Sequence, residues 1–163
     1  MRIISFIAAS SNSGKTTLIE RIVPLLKTRG LRVAVIKHAS KGFDMDQRGK
    51  DSWRFREAGA DAVLLAGPDQ LALMRQTDRP LGPEELATLL PDYDIVLVEG
   101  FRDSTPNRIE VFRKGISGER PLCMDNPAFV ALASDTRFEL AIPCFDLNDA
   151  TSIANFILAK LQL

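Results

Sequence analysis

The stretch Arg2-Ile3-Ile4-Ser5-Phe6-Ile7-Ala8-Ala9-Ser10-Ser11-Asn12-Ser13-Gly14-Lys15-Thr16-Thr17 decides how the rest of the chain is read. Arg2 to Ala8 is a short apolar run rich in Ile and Phe and bounded by a Ser/Asn/Gly cluster, the pattern of a buried strand. The window Ala9 to Thr16 fits the phosphate-loop pattern of Gly, four residues, Gly, Lys and Ser or Thr at every position except the first, where Ala9 replaces glycine. Thr16 to Arg29 then places Leu18, Ile19, Ile22, Val23, Leu25 and Leu26 at helical spacing and stops at Gly30, with Pro24 expected to bend the helix. A strand, a Ser/Gly-rich turn and a helix are the context the motif needs. Backbone N–H groups from Asn12 to Thr17 converge there on a phosphate, helped by the positive end of the helix. Asn12 is expected in a left-handed conformation, which Asn tolerates better than most residues. The expected nucleotide contacts are Ser11, Asn12, Ser13, Gly14, Lys15, Thr16 and Thr17. Lys15 would bridge the β- and γ-phosphates, and the Thr16 hydroxyl would coordinate magnesium.

Outward from this motif the chain alternates strands and helices. Leu31 to Lys37 reads as a second strand, residues 38–49 as a loop, and Asp51 to Ala58 as a helix closed by Gly59. Ala62 to Ala66 and Leu71 to Met74, separated by Gly67-Pro68-Asp69-Gln70, read as a hairpin. Pro83 opens a further helix. Ile95 to Val98 is a run of β-formers suited to a central strand covered on both faces. Arg108 to Arg113 alternates apolar and polar residues, which suits an edge strand or a subunit contact. Phe129 to Ala133 is another buried strand, and Ile153, Phe156, Ile157 and Leu161 face one side of a C-terminal helix. The expected fold is α/β: a three-layer phosphate-loop NTPase architecture, with a mostly parallel sheet and an antiparallel hairpin, in one domain over residues 1–163.

A triphosphate site also needs acids at the ends of neighbouring strands. Glu99 ends the run Ile95 to Val98, and Gly100 lets the chain turn beside the phosphates, so Glu99 is assigned to magnesium. Asp44 or Asp46, in the loop after the second strand, would reach the magnesium shell or the attacking water, and Asp46 is preferred. The catalytic set is therefore Lys15, Asp46 and Glu99, and the metal set Thr16, Glu99 and Asp46. Lys37, His38 and Arg102 are candidate contacts for a substrate or partner. Asp135, after the strand Phe129 to Ala133, would accept the N1–H and 2-amino hydrogens of guanine, a pair adenine lacks. The Asn/Thr-Lys-x-Asp guanine signature is absent.

Bulk properties narrow the partners. The 163 residues carry 21 basic and 21 acidic side chains, a neutral balance with no general attraction for nucleic acid or an anionic membrane. Cys123 and Cys144 lack the spacing of a zinc site or disulfide framework. No stretch reaches the roughly 18 apolar residues of a membrane span. A cytoplasmic protein is expected.

The segments Gly14-Lys15-Thr16-Thr17, Val35-Ile36-Lys37-His38, Phe43-Asp44-Met45-Asp46, Gly49-Lys50-Asp51-Ser52, Arg56-Glu57-Ala58-Gly59-Ala60, Leu97-Val98-Glu99-Gly100-Phe101 and Ala133-Ser134-Asp135 resemble, in this order, the molybdopterin-guanine dinucleotide biosynthesis adaptor protein B (MobB) family. The resemblance implies a homodimer that binds GTP with Mg2+ and hydrolyses it weakly, with strands shared or extended between subunits. It implies an adaptor role beside the molybdenum cofactor guanylyltransferase, which joins GMP to molybdopterin, with molybdopterin itself as a further partner. Family members often carry more histidines after Lys-His, where this chain has Ala39-Ser40-Lys41. That departure argues against a metal role for this loop. Asn12 stands where glycine is usual, and Arg102 replaces a common lysine with its charge kept. A small-molecule kinase or ligase is the alternative, and would recruit Arg54, Arg56 or Arg102. A partition-type ATPase would need an early loop lysine, where Ser10 and Ser11 stand.

Overall fold

The computed structural model describes residues 2–102, 105 and 107–163. The chain forms two compact units, Met1–His38 with Gly82–Leu163, and Ala39–Leu81. The first begins with β1 (Ile3–Ile7), α1 (Lys15–Lys27) and β2 (Val33–Lys37). The second contains α2 (Asp51–Glu57) and the strands β3 (Ala62–Ala66) and β4 (Leu71–Arg75). The chain then returns to the first unit with α3 (Pro83–Ala87), β5 (Ile95–Glu99), β6 (Arg108–Phe112), a 3-10 turn (Leu122–Met124), β7 (Phe129–Ser134), β8 (Cys144–Asp146) and α4 (Ala150–Leu161).

Six strands of the first unit make one sheet in the order β2-β5-β1-β6-β7-β8. Every neighbouring pair in it is parallel. β1 therefore lies inside the sheet with β5 and β6 at its sides, pairing Phe6 with Glu99 and Ile7 with Glu110. Side chains alternate between two covered faces. On one, Ile4 and Phe6, with Leu97, Ile109 and Val111, pack against Leu18, Ile22 and Leu26 of α1 and Ile153 and Ile157 of α4. On the other, Ile3, Ala34, Val96 and Val98 pack with Ala87 of α3. The result is the expected three-layer phosphate-loop NTPase fold, and its loops after β1, β5 and β6 open at the carboxyl edge where α/β sheets bind ligands. Pro24 stays within α1: it lacks a donor, but its carbonyl still accepts the Thr28 N–H at 2.9 Å.

Two expectations are corrected. β6 is not an edge strand or a free contact surface: it lies between β1 and β7, and all five residues are buried. Its polar alternation has an internal cause. The Glu110 carboxylate is fully buried and accepts the N–H groups of Leu122 and Cys123, both at 2.8 Å, at the start of the 3-10 turn. Arg108, on the same face, donates from Nε to the Thr105 carbonyl at 2.7 Å. Buried polar groups need such partners, and here the backbone supplies them. The hairpin, in turn, does not join the main sheet. β3 and β4 form a separate antiparallel pair within the second unit, with Val63 buried and Leu64, Leu71 and Leu73 exposed. β8 and the 3-10 turn, of three residues each, are too short to leave a periodic signal in the sequence.

Candidate phosphate-binding site

The turn between β1 and α1 has the backbone that a phosphate cradle requires. Asn12 adopts φ 62° and Gly14 φ 96°, so two left-handed residues curl the chain before the first turn of α1. Asn12 takes a left-handed conformation that glycine more often supplies. Gly14 is the N-cap of α1 and has no side chain to block its amides.

The β5 side supplies the acid. Glu99 at the end of β5 accepts the Thr16 hydroxyl on both carboxylate oxygens, at 2.9 and 3.0 Å. Lys37 Nζ approaches the same carboxylate at 3.5 Å. Lys15 folds back and donates to the Ser10 carbonyl at 3.2 Å. Burial lowers its pKa from the ordinary lysine value; Glu99 pulls it back up, while Arg102 and Lys37 push it further down. Arg102 braces the end of β1, donating to the carbonyls of Ala9 at 2.6 Å and Ala8 at 3.3 Å. The corner that places it is tight: Gly100 has φ 96°, Phe101 has φ 59°, and a Cβ on Gly100 would stand 3.0 Å from His38 Cβ. His38 stacks on Phe101 with ring centroids 4.3 Å apart, and its backbone N–H donates to the Glu99 carbonyl at 2.9 Å. Lys37, His38 and Arg102 thus gather around Glu99 and the loop as structural braces as well as candidate contacts.

The β6 side holds the loop through residues that the motif does not contain. The Arg113 N–H donates to Ser117 Oγ at 2.9 Å, the Ser117 hydroxyl donates to Ser13 Oγ at 3.1 Å, and the Ser13 hydroxyl donates to the Ser10 carbonyl at 3.0 Å. This relay ends on the carbonyl that also accepts Lys15. In parallel, Ser10 Oγ donates to the Ile116 carbonyl at 2.6 Å. Ser117 and Ser13 are both buried. Sequence reasoning missed Ser117 and Arg113 because they lie about a hundred residues from the loop. The glycines Gly115 and Gly118, both at positive φ, were the available hint of a tight turn there.

The remaining candidates sit as follows. Asp135 Oδ1 accepts the Lys114 N–H at 2.9 Å and the Thr136 hydroxyl at 3.3 Å, which ties the turn after β6 to the end of β7. Ser11 and Thr17 are exposed beside the loop. Asp46 belongs to the second unit, where one carboxylate oxygen accepts the Ser52 hydroxyl at 2.8 Å and the other meets Arg56 Nη1 at 3.3 Å. Its side chain is only 4% exposed, so it organises its own unit. Among the described residues, no three His, Cys, Asp or Glu side chains gather to hold a metal by themselves. No helix among them is long and apolar enough to cross a membrane.

Comparison with known proteins agrees with this geometry. The family model described as "Molybdopterin guanine dinucleotide synthesis protein B" matches residues 3–135. The chain is similar to the molybdopterin-guanine dinucleotide biosynthesis adapter protein of Escherichia coli (strain K12), at 37% identity over 95% of this chain and 91% of the relative. The Haemophilus influenzae adapter protein is also 37% identical, over 93% of this chain and 85% of that one. A crystal structure of molybdopterin-guanine biosynthesis protein B (mobB) superposes with a TM-score of 0.74 at 33% identity, over 98% of this chain and 99% of that one. A strand-flanked loop closed by Lys15, Thr16 and Glu99, in a chain that matches this family from β1 to Asp135, leaves one assignment: the protein belongs to the molybdopterin guanine dinucleotide synthesis protein B family.

Proposed function

We propose that the protein is a GTP- and Mg2+-binding adaptor in molybdopterin guanine dinucleotide synthesis, assisting the guanylyltransferase that attaches GMP to molybdopterin. The pathway comes from the family and from the adapter role in its relatives' names. The nucleotide comes from the site, and one observation carries it: Thr16 and Glu99, from the loop's helix and the adjacent strand, already share a hydrogen bond at 2.9 Å. A hydroxyl and a carboxylate are hard oxygen donors, and magnesium typically takes one or two protein ligands, leaving its other positions to water and phosphate oxygens. The residues therefore fit the ion. Thr16 would ligate it, Glu99 would hold it directly or through water, and Lys15 would leave the Ser10 carbonyl for the β- and γ-phosphates. The ion would neutralise phosphate charge. Asp135 would offer both carboxylate oxygens to the guanine edge, Oδ1 with the lone pair that its turn contacts leave.

The roles favour binding over rapid turnover. Asp46, the acid first assigned to the attacking water, has both carboxylate oxygens engaged by Ser52 and Arg56. Slow GTP hydrolysis and partner delivery are the form of activity proposed. A homodimer belongs to this reading, and Leu64, Leu71 and Leu73, exposed on the hairpin, are apolar surface of the kind that dimers cover.

Calorimetric titration with GTP and ATP, with and without Mg2+ and then with the guanylyltransferase added, tests the proposal. GTP should bind more tightly than ATP, and Lys15→Ala should remove most of the affinity. Equal affinity for the two nucleotides overturns the guanine assignment. Undiminished binding by the Lys15 variant overturns the phosphate-loop assignment.

A further inference from the structure

Arg113 is held against the phosphate loop, and among the described residues its buried Nε finds no hydrogen-bond acceptor. Yet the guanidinium packs directly on the N-cap of α1: a Cβ on Gly14 would lie 3.1 Å from Arg113 Nη2 and 3.8 Å from Cζ. A helix N-terminus carries partial positive charge, so a cation there faces the wrong end of the dipole. A buried donor without an acceptor adds a second standing cost. The fold nevertheless fixes the residue in place: its backbone N–H donates to Ser117, and Ser117 donates to Ser13 of the loop. Both features persist beside the loop, and an anion there would offset the misplaced charge directly. An anion at Gly14 would satisfy the helix amides and the guanidinium together.

We propose that Arg113 is a phosphate-binding residue, donating from its guanidinium to an oxygen of the phosphate chain held at Gly14 from the β6 side, opposite Glu99. The proposal rests on the reading of the loop as a nucleotide site. It adds a cation that the motif does not contain, delivered by a strand on the other flank of β1. Arginine suits the position because its planar fork can serve the phosphate at a place that Leu147 also borders, with Cδ2 3.7 Å from the same Gly14 Cβ.

The test is titration of the wild type, Arg113→Met, Arg113→Lys and Lys15→Ala with GTP and Mg2+, and with inorganic tripolyphosphate as a base-free probe, alongside ligand-free melting. Arg113→Met keeps the apolar stem. It should weaken GTP and tripolyphosphate alike, by about 10- to 100-fold, the weight of a charge-assisted hydrogen bond. Arg113→Lys should recover part of the loss, and ligand-free melting of Arg113→Met should not fall. Wild-type affinity in Arg113→Met, beside impaired Lys15→Ala, overturns the proposal and leaves the loop reading standing. Loss of GTP binding with tripolyphosphate binding intact overturns the phosphate contact. Weaker binding matched by lower ligand-free melting in both arginine variants marks a packing residue and also overturns it. Failure of the wild type to bind either probe overturns the loop reading and this proposal together.

Discussion

Thr16 Oγ1 and the Glu99 carboxylate, 83 residues apart in sequence, meet at 2.9 and 3.0 Å across the boundary between α1 and β5. The hydroxyl proton stands where a divalent ion would compete for the same oxygens. Glu99→Gln keeps the size and removes the charge, and should abolish the contribution of Mg2+ to nucleotide binding. Thr16→Ala should do the same, and the double variant should be little worse than either single one, because the pair acts as a unit. Titration with Mg2+ and with EDTA reads this out; intact Mg2+ dependence in Glu99→Gln would remove Glu99 from the metal site.

Gly14 is constrained twice, by φ 96° and by the Arg113 guanidinium. Gly14→Ala should cost about 1–3 kcal/mol of stability from left-handed strain and the close contact. Gly30 provides the control, with φ 79° and nothing within 4 Å of an added Cβ. Gly30→Ala should cost only the strain, about 1 kcal/mol. Urea unfolding of the two variants compares them, and a larger loss at Gly30 would contradict the packing described.

Lys15 has a pKa below that of an ordinary lysine, chiefly through burial. Bound phosphate would favour the charged form and raise it. Below the depressed pKa the ammonium is present with or without ligand, so affinity is complete there. As pH rises through that pKa towards the bound-state value, binding must take up a proton and affinity falls. GTP titrations from neutral to alkaline pH should show this decline, with proton uptake measurable by calorimetry in two buffers. Lys15→Met should bind weakly and without that slope.

Glu110 holds two amides of the 3-10 turn from inside the sheet. Glu110→Ala orphans both and should cost about 2–5 kcal/mol in denaturant unfolding. The same carboxylate protects Cys123, whose thiol is pushed up to about 12 by burial and then by Glu110. Alkylation of Cys123 at mildly alkaline pH should therefore be slow, and Glu110→Gln should speed it by lowering that pKa. Peptide mapping after iodoacetamide treatment follows both variants, and an unchanged rate would deny the coupling.

Much of this fold was legible because its signals are local. The apolar run before Ser10, the Gly-Lys-Thr-Thr junction and the four β-formers before Glu99 each report burial or turn chemistry in a few residues. Asn12 is the sharpest case: a side chain that tolerates the left-handed region stands where the turn needs it, and φ is 62°. β6 was misread because its alternation of Glu110 with Ile109 and Val111 looks the same whether the acid meets water or a 3-10 turn. Only the distant Leu122 and Cys123 amides distinguish the two. Arg113 and Ser117 were invisible for the same reason, since their importance lies in a contact with Ser13 and Gly14 that no short window contains. Asp46 shows another limit of a short window: an acid in a loop suggested chemistry, and its contacts with Ser52 and Arg56 could not be read beside it.

The bracing of the loop from both flanks also bears on rate. Carbonyls of Ala8, Ala9 and Ser10 are taken by Arg102, Ser13 and Lys15, while Ser10 itself is tied to Ile116. The ordering entropy of the cradle is thus spent when the chain folds, not when an anion arrives. For the proposed ligand, Lys15 would have to swing from the Ser10 carbonyl and the Thr16 hydroxyl would have to turn from Glu99, rotamer changes on the picosecond-to-nanosecond scale. Capture by such a loop would carry little ordering cost, and differences between its ligands would be written mainly in how long each one stays.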